Sequence, residues 1–311
     1  MNNFFKNILH LVIVSITLLS NSVWSQNDPK LSIFNYNPLQ YNPAFAGSAD
    51  GFYIIGIHST QWYGFEGAPN TQYLSAHTKL PESKTGLGVS FYNDTAGPVR
   101  EYNIDGNYAH YLDLNNNYKL ALGLKAGLHS NILDINLLKR QHPEEDIYGY
   151  DKTQNLTPVL GVGFNLYNEK FYIGVSTPNL LTTKYYNPSF AYVYAKRKGY
   201  YYLTTGYKLT LDHEFTLTPA ILTRVTEGAP ISVMSSLNLN WREKYLGGIN
   251  FEYNSSIGAF FGVKVLENLK AGYAYDYSIN NFSNYNNGIH TFFLSYTLEN
   301  NNSEKCSCHI Y

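Results

Sequence analysis

The chain has 311 residues, a formal net charge of −1 and only 14% charged residues, against roughly 25% in soluble domains. This balance argues against a nucleic-acid binder, which needs a basic stripe to neutralise phosphates. With 30 Tyr and 17 Phe it also argues against disorder. Aromatics in place of charge, together with 24 Gly, suggest an all-β protein whose outer surface need not be charged.

Residues 1–25 read as a secretory signal peptide. Lys6 supplies the basic start, Ile8 to Leu19 the apolar run, and Ser25 the small residue before a cleavage ahead of Gln26. The run is shorter than the ~20 residues a membrane helix needs. No cysteine lies directly after it, which argues against a lipoprotein. Residues 26–50 form a polar, Pro-containing lead, assigned to the periplasm. Residues 51–299 alternate almost without pause. Leu120, Leu122, Leu124 and Leu128 oppose Ala121, Gly123, Lys125 and His129; Phe292 and Leu294 oppose Phe293 and Ser295. Successive strand residues point to opposite faces, so this is a half-apolar, half-polar sheet.

About fourteen strands follow from the alternation. They are expected to begin near Phe52, Asn70, Thr85, Val99, Tyr118, Leu156, Lys170, Gly199, Glu214, Pro230, Lys244, Ser256, Asn268 and Gly288. Pro219 interrupts the ninth and marks a bulge or a split strand. Connections returning to the amino-terminal side are short and polar, such as Asn115-Asn116-Asn117 and Asp212-His213. The long ones, 62–69, 132–155, 177–197 and 280–287, share the other side. That parity predicts a transmembrane antiparallel β-barrel with short periplasmic turns and long outer loops. The soluble alternative, a secreted β-sandwich, would need a more charged outward face. Residues 300–311 form a tail containing Cys306, Cys308 and His309.

Catalytic signatures are weak. His58, His77, His110 and His129 fall in early strands near Asp105, and read as lumenal hydrogen-bonding residues. The chain lacks a Gly-x-Ser-x-Gly elbow and a His-Glu-x-x-His helix. Glu144-Glu145-Asp146 lacks the oxygen spacing of a calcium loop, and Gly161-Val162-Gly163 lacks a strand–helix context. Two cysteines cannot close a four-ligand zinc site even with His309 nearby. No enzyme activity, cofactor or metal is expected.

Two clusters stand out: Tyr41-Asn42-Pro43-Ala44-Phe45-Ala46-Gly47-Ser48, and Gln61-Trp62-Tyr63-Gly64-Phe65-Glu66-Gly67-Ala68-Pro69-Asn70-Thr71. Turn chemistry alone accounts for Gly64, Gly67 and Pro69, but not for Gln61-Trp62 at a strand end. Together the clusters resemble the PorP/SprF family of type IX secretion outer-membrane proteins, with Asn42, Pro43, Ala44, Ala46 and Gly47 in an N-P-A-x-A-G element. Gln61, Trp62, Gly64, Gly67, Ala68, Pro69 and Thr71 match the second element. Gly86-Leu87-Gly88 leading to Asp94-Thr95-Ala96-Gly97 matches a third, and Tyr172-Ile173-Gly174-Val175-Ser176 a weaker fourth. The final strand near His290 also fits, with Thr291 in place of the usual acidic residue.

The resemblance implies an outer-membrane barrel of the type IX secretion and gliding machinery. Its implied partners are the C-terminal domain of a cognate exported surface protein or adhesin, other secretion components, and outer-membrane lipid. The alternative is a porin-like solute channel. Candidate partner-binding or plug residues are Gln61, Trp62, Gly64, Phe65, Gly67, Pro69, Thr71, Asp94 and Gly97. Trp62 has a competing reading as an aromatic-girdle anchor. Asn42, Pro43, Ala44 and Gly47 form the amino-terminal motif.

Overall fold

The computed structural model describes residues 32–49, 51–115, 117–137, 152–184, 196–197, 199–280, 283 and 287–298. The leader, the Glu144–Asp146 group and the Cys306-Cys308 tail lie outside them. Fourteen strands form the wall. The first seven are β1 (Phe52–Gln61), β2 (Asn70–Lys79), β3 (Thr85–Ala96), β4 (Val99–Asp113), β5 (Lys119–Asp134), β6 (Lys152–Tyr167) and β7 (Phe171–Thr177). The rest are β8 (Tyr200–Tyr207), β9 (Phe215–Thr226), β10 (Ser232–Trp241), β11 (Tyr245–Glu252), β12 (Ser256–Leu266), β13 (Leu269–Ser278) and β14 (Ile289–Leu298). Each starts within four residues of its expected position.

Every wall strand pairs antiparallel with its neighbour in sequence. β1 closes on β14 through ten residue pairs, from Phe52↔Leu298 to Gln61↔Ile289. Closure leaves no sheet edge, the condition for strands to span a bilayer. Pro219 stays inside β9, opposite Leu237. On its other side the pairing stops after Gly206↔Ala220 and resumes at Leu209↔Leu217. The proline has no N–H to give there, so the neighbouring strand is split.

The alternation sorts outward from inward residues as the pattern requires. Leu74, Val89, Ile104, Leu124, Leu160, Ile249, Phe261 and Phe292 are exposed, while Ala121, Lys125, His129, Phe293 and Ser295 are buried. The exposed apolar residues form a belt for lipid tails. Stacked rings mark its edge on the short-turn side: Phe215 on Trp241 at 6.0 Å and Trp241 on Tyr245 at 5.2 Å. Arg242 and Lys244 lie over Trp241 and Tyr245 at 5.3 and 5.4 Å. Aromatics and cations together are what a bilayer interface selects.

The four early histidines divide. His77 and His129 point inward and are buried, whereas His58 is exposed on the outer face and His110 also lies on that face. The lumenal reading therefore holds for two and is corrected for two, because the strand period of two carries even-numbered residues of β1 and β4 outward.

The expected periplasmic lead needs a larger correction. Its described part, residues 32–49, is enclosed by the strands, and within it every residue but Gln40 is buried. Three single-turn 3-10 helices shape it: Phe34–Tyr36, Pro38–Gln40 and Pro43–Phe45. A fourteen-strand barrel is too wide for wall side chains alone to fill, and this segment supplies the missing volume.

Candidate functional site

The segment touches the wall all round. Ile33, Tyr36 and Ala49 pack with residues of β1, β2 and β11–β14, including Tyr53, Tyr73, Leu246, Phe260 and Phe293. Leu39, Ala44, Phe45 and Ala46 pack with β4–β7 through Tyr111, Ala121, Tyr167 and Tyr172. Phe34 and Tyr41 pack with β8–β10 through Tyr200, Tyr202, Leu222 and Met234. Leu39 also reaches the wall at Gly88 of β3. Residues 32–49 are thus a plug braced against all fourteen strands.

Irregular backbone at membrane depth must find its hydrogen bonds inside the protein. Here the wall provides them. Tyr53 and Tyr111 donate to the carbonyls of Tyr36 and Ala46 at 3.1 and 2.7 Å. Ser176 donates to Tyr41 O at 2.8 Å. Gly47 N donates to His77 Nδ1 at 3.2 Å, and Asn35 Nδ2 to Ser236 Oγ at 2.6 Å.

The Asn42-Pro43-Ala44 motif is the tightest part. Asn42 caps the third 3-10 turn, its Oδ1 accepting from Ala44 N at 2.9 Å, while its Nδ2 donates to Phe164 O at 3.1 Å. Pro43 starts the turn with φ already set. The wall is stripped to glycine where this motif lies. A Cβ on Gly123 would sit 2.1 Å from Ala44 N, on Gly163 2.0 Å from Asn42 Oδ1, and on Gly86 1.9 Å from Ala46 O. Gly47 has φ +80 and rests on Gly86, a conformation that excludes most side chains. The N-P-A-x-A-G, Gly86-Leu87-Gly88 and Tyr172–Ser176 elements, separate in sequence, are therefore two sides of one contact. Gly174 also faces Asn42, whose Nδ2 would lie 2.9 Å from a Cβ there.

The Gln61–Thr71 element forms the β1–β2 connection at the long-loop rim. Trp62 is half-buried with φ 53, and Tyr63 and Phe65 are 59% and 58% exposed. Gln61 N donates to Pro69 O at 2.9 Å and Phe65 N to Trp62 O at 3.0 Å. Gly97 N donates to Gly67 O at 2.9 Å, tying the loop to the β3–β4 turn, and Tyr63 N donates to Gly288 O at 3.3 Å. Below the rim Thr71 donates to Asp94 at 2.5 Å. Gln61–Thr71 and Asp94–Gly97 thus converge on one hydrogen-bonded corner. Gly64 takes φ 91 in that loop. Tyr63 also meets the His290 ring edge-on at 5.1 Å, and Tyr273 Oη lies 2.6 Å from His290 Nδ1.

Elsewhere the inward face is polar. Asp105 faces Lys125 at 3.3 Å and accepts from Asn103, and both ion-pair partners are buried. Among the described residues no group of three or more His, Cys, Asp or Glu is placed to hold a metal ion. The plug anchors Tyr36, Leu39 and Phe45 were missed from sequence. Their signal was there: Asn-Pro recurs at 37–38 and 42–43 among bulky apolar residues, an odd content for a solvated lead.

A closed antiparallel barrel with an apolar belt, interfacial aromatics and a self-filled lumen defines an outer-membrane barrel protein. The chain belongs to the family described as type IX secretion system membrane protein PorP/SprF, which it matches over residues 23–296. Among curated proteins nothing matches. Of solved structures, the CymD monoaromatic hydrocarbon channel is similar with TM-score 0.52 and 10% identity, over 85% of this chain and 93% of that one. A Pseudomonas aeruginosa FadL homologue gives TM-score 0.47 and 11% identity, over 86% and 94%. The Pseudomonas putida toluene transporter TodX gives 0.48 and 9%, over 89% and 94%. At such identities the first of these speaks to the barrel fold alone. The protein is placed in the outer membrane, with its short turns periplasmic and its long loops outside.

Proposed function

We propose that the protein serves type IX export as a closed docking barrel, holding the C-terminal domain of a cognate exported surface protein at its outer rim. The observation that carries this reading is the plug: eighteen residues, 32–49, occupy the lumen that a solute channel would keep open. The braced corner of Gln61–Thr71 and Asp94–Gly97 then offers exposed Phe65 and Tyr63 on an ordered backbone. Exposed aromatics on a rigid frame bury much area with little entropy to lose. The competing reading, a porin-like channel, draws on the polar inward face.

The test is the double variant Trp62→Ala with Phe65→Ala. It assembles with normal heat-modifiable gel mobility and loses cross-linking to the exported partner in native membranes. Retention of the partner at wild-type level sinks the docking role. Steady open conductance of the wild-type barrel in planar bilayers, with surface export unaffected by its deletion, supports the channel instead.

A further inference from the structure

The outward wall of β2–β6 carries a recess on the face turned away from the plug. Register sets Ala76, Val89, Gly106, Ala126 and Leu160 in one row across five strands. Ala76, Gly106 and Ala126 are the low positions of this row, while Val89 and Leu160, 61% and 47% exposed, stand up from it. Leu87, Tyr108 and Leu124, in the next row toward the periplasm, stand up as a ridge and are 43%, 39% and 57% exposed. Phe52 lines one end and Leu180 the other, and the recess, open on its outer side, has a volume of about 810 Å³.

The low floor is not demanded by the barrel. A Cβ on Gly106 would meet nothing nearer than the Ala126 carbonyl oxygen at 3.8 Å, an ordinary contact, unlike the glycines facing the plug. Its smallness is spent on the outside. Strands ~4.8 Å apart make the recess ~19 Å long, and successive outward side chains make it ~7 Å wide. That footprint of ~130 Å² is far below the ~800 Å² per partner of a stable protein interface. It fits one extended hydrocarbon chain. The recess also lies within the apolar belt, below exposed Leu74, Phe91 and Ile104, where lipid tails are the surrounding medium.

We propose that this recess is a defined binding site for one acyl chain of an outer-membrane lipid. The test uses the purified barrel in nanodiscs of plain phospholipid doped with a phospholipid carrying a nitroxide mid-chain. Wild type shows an immobilised spin-label component. Gly106→Leu combined with Ala126→Leu fills the floor and loses that component, while Phe261→Leu on another stretch of the belt keeps it. Gly106→Leu alone gives a partial loss, and serves should the double variant fail to fold. Equal immobilised components in wild type and filled variant overturn the proposal. So does loss of a cross-linked dimer with the lipid signal unchanged, which assigns the recess to a second copy. Because only phospholipid is present, a lipoprotein anchor cannot supply the signal. Partner retention is read separately, so failure of the docking role leaves this test unaffected.

Discussion

One methyl group separates the glycines that seat the plug from those that do not. At Gly123 an added Cβ falls 2.1 Å from the backbone nitrogen of Ala44, and backbone cannot swing aside as a flexible side chain can. Gly123→Ala should therefore leave the wall intact and displace residues 42–47. Thiol labelling checks this: in a chain carrying Cys306→Ser and Cys308→Ser and Ser48→Cys, buried in the parent, a membrane-impermeant maleimide reacts in the Gly123→Ala background and not otherwise. Continued protection would mean that the wall moves instead. Phe45, fully buried against Tyr172 at 6.0 Å between ring centres, tests the same contact by subtraction. Phe45→Ala should weaken plug seating by ~3–5 kcal/mol, the usual cost of emptying an aromatic site, and raise Ser48→Cys labelling in proportion.

At the scale of elements, the strands were legible because membrane strands obey two constraints at once: a period of two and a parity of loop length. Fourteen starts follow from those alone, and Pro219, which has no N–H to donate, marks an interruption as either a bulge or a split strand. Turn chemistry was less legible. The turn after β10 places Arg242 and Glu243 both at φ 53, closed by Lys244 N to Trp241 O at 3.1 Å, although neither residue favours positive φ. What holds it is cross-turn contact. Arg242 bonds Glu214 at 2.7 Å, and Trp241 Nε1 donates to the same carboxylate at 3.3 Å. These bonds, Arg242's first, hold the Glu214 carboxyl below the usual range. A lowered carboxyl pKa stabilises the fold above the ordinary glutamate value of ~4.3, and that contribution is lost as pH falls through the lowered value. The pair is exposed and its effect on stability is small, so the titration itself is the readout. Arg242→Ala should move the Glu214 midpoint upward by carboxyl-carbon NMR; an unmoved midpoint would leave the bridge without electrostatic consequence.

For the molecule as a whole, what the sequence concealed was the inside. Composition distinguishes a wall from a soluble sheet, but polar inward residues read alike whether they line water or protein. Only the third dimension brings Asn42 to Gly163, 121 positions away in the chain, or Asn35 to Ser236. The same consideration sets the last prediction. Wall pairing is continuous through β1↔β14 and needs no residue of the plug, so the leader joined directly to residue 51 should still yield a barrel with heat-modifiable mobility. Its lumen, stripped of Phe34, Tyr36, Leu39, Tyr41 and Phe45, would present buried rings to water, among them Tyr53, Tyr111, Tyr172 and Phe293. Water and ions should then cross, and planar bilayers should show steady conductance where the full chain shows none. If the shortened chain assembles and remains closed, the wall seals the lumen without the plug. If it fails to assemble, residues 32–49 act as the core on which the wall is built, and the same conductance test on the Gly123→Ala variant, which keeps every plug residue, decides whether an unseated plug opens the barrel.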